Sequence, residues 1–227
     1  MQQNAAFLSA LPLFRGFSAQ QVTQLLSQCG AHTLSYSKDQ CAIRRGERIG
    51  SIGILLSGEM LGQTVTAQGA LTTVSHMLPG AVFGDVLSGS SGVSPVTVTA
   101  QQESSVLWLE LAHVLSPEGG VQQLKTLFLR NLIETISDKY FALSARVELL
   151  CERSLRSRIA RYLLVLRQKN GSDSFLLPHA GRAQLADYLA CERSALCREL
   201  SRMQHEGLLM LHKRQVQLLD IAALELR

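Results

Sequence analysis

The sequence lacks the features of an exported or membrane-bound chain. No stretch approaches the roughly 18 uncharged apolar residues that a membrane helix requires. The start MQQNAAFLSALPLF lacks the basic segment and apolar run that mark a secretory signal. We therefore expect a cytoplasmic protein that makes no membrane contact.

Cysteine and histidine are too scattered to predict a metal centre. The five cysteines form no CxxC pair, which is typical of reduced structural thiols, with redox sensing as the alternative. An iron–sulfur cluster requires four clustered thiolates, so none is expected. His76 is either a metal or haem ligand or a satisfied structural residue. Since there is no HxH pair, a catalytic metal barrel is disfavoured, and we expect no enzyme activity.

Positive charge is scarce in the first two thirds of the chain. Residues 1–148 carry nine Lys and Arg against ten Asp and Glu, whereas residues 149–227 carry 13 against eight. A basic excess confined to one end is expected of a segment that meets a polyanion. A solvated basic face would produce the same excess, so the charge is supporting evidence alone.

The pattern of apolar residues, glycine and proline changes twice along the chain. Short helices are predicted first, with Ser18 as an N-cap. Between residues 31 and 111, short apolar runs separated by glycines and prolines predict an antiparallel sandwich, jelly roll or barrel. Proline and glycine are then absent between Val121 and Arg167, which predicts a long helix. We expect an α+β chain with a sensor β-roll at 1–117, a dimerisation helix at 118–150 and a DNA-binding domain at 151–227.

Apolar residues recur along the long helix at alternating steps of four and three, the period of a coiled-coil seam. Packing of this helix on its own domain is the alternative, but the regular period favours a homodimer. The predicted seam comprises Leu129, Ile133, Ile136, Tyr140, Leu143, Val147 and Leu150.

The segment from residue 181 to 219 predicts a winged helix-turn-helix. Two helices, at 182–189 and 193–206, flank a tight turn, and Gly207 ends the second helix. Two strands at 208–211 and 216–219 then form the wing. In such a unit the second helix enters the major groove of double-stranded DNA. The predicted base readers are Arg193, Ser194 and Arg198. The predicted phosphate contacts are Arg182, Arg202, Lys213 and Arg214. A solvated face or an ion pair is the alternative for each arginine.

Five segments resemble the Crp/Fnr family of bacterial transcription regulators. They are LPLFRGFSAQQVTQLL, RRGERIGSIGILLSGEM, PGAVFGDV, RSRIARYLLVL and RAQLADYLACERSALCREL. The resemblance covers nearly the whole chain. It implies a cyclic-nucleotide-binding-type roll, a long dimer helix, a winged helix-turn-helix and a two-fold-symmetric operator. It also aligns Arg193 and Arg198 with the arginines that members use on bases. Ser194 replaces a glutamate that accepts from cytosine in many members, which predicts a different half-site.

The same resemblance locates an effector pocket. Its predicted residues are Phe83, Gly84, Asp85, Val86, Ser94, Pro95, Val96 and Ser144. Asp85 replaces the usual glutamate, and Ser94-Pro95 replaces the arginine pair that holds the phosphate. Because a cyclic phosphate would lose a bidentate charge-assisted contact, we expect an effector other than cAMP, of unknown identity. The alternative is an effector-independent DNA-binding dimer whose roll is a protein-interaction scaffold, with RNA polymerase as a candidate partner.

Overall fold

The computed structural model describes residues 4–65, 69–88, 92–179 and 181–225. They form two compact units, Met1–Lys139 and Tyr140–Arg227. In the described residues, no helix combines the length and apolarity needed to cross a membrane. The predicted domain limits at 117 and 150 stay predictions.

The first unit opens with helix α1 (Ala5–Ser9), a 3-10 turn (Pro12–Phe14) and helix α2 (Ala19–Gln28). Ser18 begins α2 as predicted. Its hydroxyl accepts from the Gln21 backbone N at 3.3 Å, and the Gln21 side chain accepts from the Ser18 backbone N at 2.8 Å. This reciprocal capping box satisfies two amide donors that the helix leaves unpaired.

Antiparallel strands and two short helices complete the roll within the described part of the first unit. The strands are β1 (His32–Tyr36), β2 (Cys41–Ile43), β3 (Ser51–Ser57), β4 (Met60–Val65), β5 (Leu71–Met77), β6 (Val82–Phe83), β7 (Thr97–Ala100) and β8 (Ser104–Glu110). The helices are α3 (Asp85–Ser88) and α4 (Leu111–Leu115). One sheet has the order β1-β8-β3-β6 and the other β2-β7-β4-β5. The predicted antiparallel roll is therefore confirmed.

Strand β8 shows why the roll has two cores. Successive side chains of a strand point to opposite faces. Val106 and Trp108 join a cluster contributed by both sheets. Leu107 and Leu109 pack on the other face, against the helices. Since both of its faces are buried, β8 is a nearly continuous apolar run rather than an alternating one.

Helix α5 (Gln122–Leu150) is the predicted long helix and extends across the limit between the units. Phe128 and Leu132 are buried in the core of the first unit. Leu149 is buried in the core of the second. The helix therefore contributes to both cores.

The second unit is the predicted winged helix-turn-helix. Its elements are α6 (Leu155–Asn170), β9 (Ser174–Leu176), α7 (Arg182–Tyr188), α8 (Arg193–His205), β10 (Leu209–His212), β11 (Gln215–Leu218) and α9 (Ile221–Glu225). The sheet order is β10-β11-β9. Gly207 follows α8 with φ 75°, in the left-handed region that favours glycine. The wing strands lie one residue from their predicted positions, because His212 pairs with Gln215 and leaves a two-residue loop.

Candidate nucleic-acid interface

Helix α8 has one buried face and one exposed face. Leu196, Leu200 and Met203 are buried in the core of the second unit. The predicted base readers Arg193, Ser194 and Arg198 are all exposed and lie in the first two turns. The 3.6-residue period separates the two sets. The structure therefore presents these three side chains together on the surface.

Arg158, which the sequence alone does not single out, holds the turn before α8. Ala190 has φ 50°, which is costly for a residue other than glycine. The Arg158 guanidinium of α6 donates to the carbonyl oxygens of Leu189 and Ala190, at 2.7 and 3.1 Å. Arg158 thus holds the strained turn that sets the start of α8.

A second arginine of α6 holds α8 along its length. Arg156 Nε donates to Glu199 Oε1 at 2.5 Å, and its two Nη atoms donate to the Glu206 carboxylate at 2.7 and 2.8 Å. These hydrogen bonds, first to Glu206 and then to Glu199, raise the pKa of Arg156 above its usual value. Glu199 adjoins Arg198, so the network anchors α8 beside a predicted base reader.

Three of the four predicted phosphate contacts line one cavity beside the wing. A cavity of about 300 Å³ is lined there by His179, Arg182, Lys213 and Arg214, among others. Lys213 is exposed at the tip of the wing, with φ 53°. Arg214 also donates through Nε and one Nη to the Leu177 carbonyl oxygen, at 3.1 and 2.7 Å. It therefore braces the wing as well as adding positive charge.

Arg202 forms an ion pair with a carboxylate, the alternative to a DNA contact that the sequence left open for each arginine. One of its Nη atoms lies 3.4 Å from Glu199 Oε2, while the side chain remains 69% exposed. Although Glu199 is 15% exposed, a single long contact to a cation this exposed contributes little to stability. Arg202 can therefore leave Glu199 for a phosphate at small cost.

His179, which lines the same cavity as Arg182, Lys213 and Arg214, belongs to an aromatic cluster. Its ring centroid lies 5.8 Å from that of Tyr162 and 4.9 Å from that of Tyr188. The Arg146 guanidinium lies over the Tyr188 ring, 5.3 Å from its centroid. Burial first, and then the charges of Arg146 and Arg214, lower the pKa of His179. His179 is therefore held neutral near pH 7.

The predicted effector pocket is built around a salt bridge in the first unit. Phe83 is buried, and Gly84 has φ 72° at a point where a Cβ atom would lie 2.8 Å from the Ser51 carbonyl oxygen. Asp85 is 7% exposed, and its Oδ2 lies 2.6 Å from Lys139 Nζ of α5. The same amine donates to the Val82 carbonyl oxygen at 2.8 Å. Lys139 was not among the predicted pocket residues, yet it supplies a cationic partner for Asp85.

The second part of the predicted pocket, residues 94–96, has no cationic side chain to bind a phosphate. Ser94 is buried, and its hydroxyl donates to the Val96 carbonyl oxygen at 2.7 Å. Val86 and Pro95 are exposed. Ser144 lies on α5 in the second unit and is half-buried. Among the described residues, the segments 83–88 and 92–96 contain no lysine or arginine.

The members of the predicted seam on α5 have different surroundings in the single chain, and the seam itself stays a prediction. Leu129 and Ile136 pack against the core of the first unit, because their side of the helix lies on its own domain. The remaining members are exposed in the single chain. They are Ile133, Tyr140, Leu143, Val147 and Leu150, joined by Phe141.

The structure gives His76 a carboxylate partner. Its Nε2 lies 2.6 Å from Glu59 Oε1. Both roles that the sequence left open are compatible with this contact, because structural and metal-binding histidines alike pair with carboxylates. In the described residues, no group of three His, Cys, Asp or Glu side chains is arranged to hold a metal ion.

Two domain families match this chain, in the order of its two units. The cyclic nucleotide-binding domain matches residues 33–116, and the Crp-like helix-turn-helix domain matches residues 157–227. The fold therefore defines a transcription regulator with a sensor-type roll and a DNA-binding helix-turn-helix. The chain thus carries, in the same order, the two domains of the Crp/Fnr family that its sequence resembles.

Individual relatives agree with this assignment. The transcriptional regulator LdrP of Thermus thermophilus is 29% identical over 198 residues, covering 84% of this chain and 93% of the relative. The transcriptional activator protein FnrA of Stutzerimonas stutzeri is 25% identical, covering 81% of this chain and 75% of the relative.

Solved structures share the fold. The catabolite activator protein of Thermus thermophilus has a TM-score of 0.55 at 21% identity, covering 94% of this chain and 96% of that one. CprK complexed with OCPA has a TM-score of 0.66 at 14% identity, covering 89% and 92%. At these identities the likeness supports the fold alone.

Proposed function

We propose that this regulator binds a two-fold-symmetric DNA operator as a homodimer, reading bases in the major groove with Arg193, Ser194 and Arg198. The observation that carries the proposal is the exposure of these three side chains at the start of α8, on a helix whose opposite face is buried. An arginine can donate two hydrogen bonds to guanine, and a serine hydroxyl can contact several bases.

Phosphate contacts would set the register of α8 in the groove. Arg182 begins α7 and Lys213 lies at the wing tip, and both line the cavity beside the wing. Arg202 and Arg214 add positive charge to the same unit. Such contacts position a protein on DNA without specifying the sequence.

The exposed face of α5 supports the dimer. Four large apolar side chains on one face of this helix, each between 53 and 65% exposed, would be costly in water. They are Ile133, Tyr140, Leu143 and Val147. A second copy of the helix would bury them in a coiled-coil seam. Two recognition helices held about 34 Å apart could then enter successive major grooves.

DNA selection tests the base readers. Duplexes are first selected from a random pool by the wild-type protein, and affinities for the selected and a scrambled duplex are then compared at several salt concentrations. We expect Arg198→Ala to reduce the discrimination between the two by about 1–3 kcal/mol. Lys213→Ala should weaken both affinities and lower the salt slope by about one. Arg167→Ala, which breaks an exposed pair with Asp173, serves as the control. Equal losses from the first two variants would contradict the assignment of roles.

Sedimentation tests the dimer. Leu143→Glu and Val147→Glu place charges on the exposed apolar face and should yield monomers. Ala145→Glu is the matched control, because Ala145 is exposed on the opposite side of the same helix. Dimers that survive both seam variants would move the interface elsewhere.

A specific observation favours effector-independent DNA binding as the second candidate. The Lys139 amine already pairs with Asp85, where a ligand of the resembled family would be bound. This pair braces the predicted pocket against α5 through the protein's own side chains. Tight operator binding by ligand-free protein would support this alternative. Micromolar binding of cAMP in calorimetry would contradict the exclusion of cyclic phosphates. A cytoplasmic location and contact with RNA polymerase stay predictions.

A further inference from the structure

A cavity outside the predicted effector pocket opens at one end of the roll in the first unit. Its volume is about 240 Å³. Two buried aromatic residues line it, and the Trp108 indole N–H donates to the Tyr36 hydroxyl at 2.9 Å. Leu34 lies on the same face of β1 as Tyr36 but is 45% exposed, so the apolar interior is left open here.

The size of the cavity limits its ligand. Pockets for drug-sized molecules usually measure about 300–1,000 Å³. A cavity slightly below this range suits a molecule with a single ring or a short chain. Ala42, Ile43 and Ile49 add apolar surface to its wall. The body of the ligand should therefore be apolar.

The charge at the rim favours an anionic ligand. Arg48 and Glu47 both line the cavity, and Arg44 and Arg45 of the same segment add two further positive charges outside the lining. The Glu47 carboxylate accepts from the Arg44 backbone N at 2.9 Å, which occupies one of its oxygens within the turn. Arg48 lines the cavity and is exposed, and among the described residues it forms no ion pair. An arginine fork matches a carboxylate in geometry and charge.

We propose that this cavity binds a small apolar carboxylate. Its carboxylate pairs with Arg48, and its apolar body packs against Tyr36 and Trp108.

The cavity is in contact with the residues that brace α5. Phe83 packs edge-on against Trp108, with ring centroids 5.4 Å apart. There is no slack at this contact, since a Cβ atom on Gly53 would lie 2.7 Å from Phe83 and 3.0 Å from Trp108. Phe83 directly precedes Gly84 and Asp85, which pairs with Lys139 of α5. A ligand that shifts the indole would therefore displace Phe83 and bias α5, a consequence for DNA binding that rests on the proposed function.

Tryptophan fluorescence tests the site without DNA, because Trp108 is the only tryptophan in the chain. The full-length protein is titrated with benzoate and hexanoate, and with benzyl alcohol and hexanol as neutral counterparts. We expect a saturable change with the two acids and at least about tenfold weaker binding of the alcohols, because a hydroxyl lacks the charge and the second acceptor oxygen that a carboxylate offers to Arg48. No saturable change, or equal binding of acids and alcohols, would overturn the proposal.

Two arginine variants provide the matched comparison. Arg48→Gln should weaken binding of the acids by about tenfold or more. Arg44→Gln removes the same charge from the same loop but from a side chain outside the cavity lining, and should leave binding within about threefold, since exposed charges are screened. Equal losses from the two variants would overturn the role of Arg48.

DNA affinity separates this proposal from the proposed function. Saturating acid should change the affinity of the wild-type protein for its selected duplex and leave that of Arg48→Gln unchanged. A fluorescence response with unchanged DNA affinity would uphold the site and overturn the route to α5. A fluorescence response in a protein that binds no DNA would uphold the site and contradict the proposed function.

Discussion

Replacing Arg156 by methionine should destabilise the packing of α8, the recognition helix, more than breaking an exposed ion pair would. Methionine keeps most of the aliphatic stem but removes all three hydrogen bonds to Glu199 and Glu206. The side chains of Arg156, Glu199 and Glu206 are 19, 15 and 34% exposed. Removing one partner of a fully buried pair costs about 3–5 kcal/mol, whereas an exposed pair contributes about 0–1 kcal/mol. The intermediate burial here predicts a loss of about 2 kcal/mol.

Native-state hydrogen exchange measures this loss locally. A loss of about 2 kcal/mol corresponds to roughly 30-fold faster exchange of the most protected amides in α6 and α8. The amides of β8 in the first unit should be unaffected. Arg167→Met is the control in the same unit, because its pair with Asp173 is 39 and 52% exposed and should contribute under about 1 kcal/mol.

Two outcomes would refute this expectation. Acceleration by Arg156→Met that is no greater than acceleration by Arg167→Met would show that the Glu199 and Glu206 contacts add nothing. Equal acceleration of the β8 amides would show instead that the effect is not local to α8. In the double variant Arg156→Met with Glu199→Gln, the combined loss should be smaller than the sum of the single losses, since both remove the same contact.

Three further changes test other parts of the structure. The pKa of His179 is lowered in the folded protein, so the unfolded chain binds a proton at this residue more readily. The free energy of unfolding should therefore fall as the pH drops from about 6.5 toward the lowered pKa. His179→Gln should remove that dependence in thermal melts, and an unchanged profile would contradict it. Ala190→Gly should raise the free energy of unfolding by about 0.5–1 kcal/mol in urea titrations, because relief of a strain of about 1–2 kcal/mol exceeds the entropic cost of glycine; a destabilised variant would refute this. Lys139→Met should speed amide exchange at residues 82–88 by about fivefold, a loss of about 1 kcal/mol after allowing for the 45% exposure of the lysine; unchanged exchange would show that the pair with Asp85 does not brace this segment.

The local elements of this protein follow from its sequence, because their causes are local. The capping box at Ser18 acts over three residues, and Gly207 ends α8 through its own φ angle. The alternation of side chains along strands and the 3.6-residue period of α8 act within single elements. That is why the sequence alone assigns Arg193 and Arg198 to an exposed face.

The contacts that organise the candidate site depend on tertiary structure. Arg156 meets Glu199 across 43 residues, and Lys139 meets Asp85 across 54. The sequence does not show which distant carboxylate a charged residue will pair with, because the pairing depends on how separate elements pack.

The long helix shows the same division between local and tertiary causes. The sequence alone determined that α5 carries an apolar stripe of period 3.5, because that pattern lies within one segment. The tertiary structure decided that Leu129 and Ile136 pack on the first unit while Tyr140, Leu143 and Val147 stay exposed. A periodic pattern marks which side of a helix is apolar, and the neighbours that the fold brings to that side determine how each residue is used.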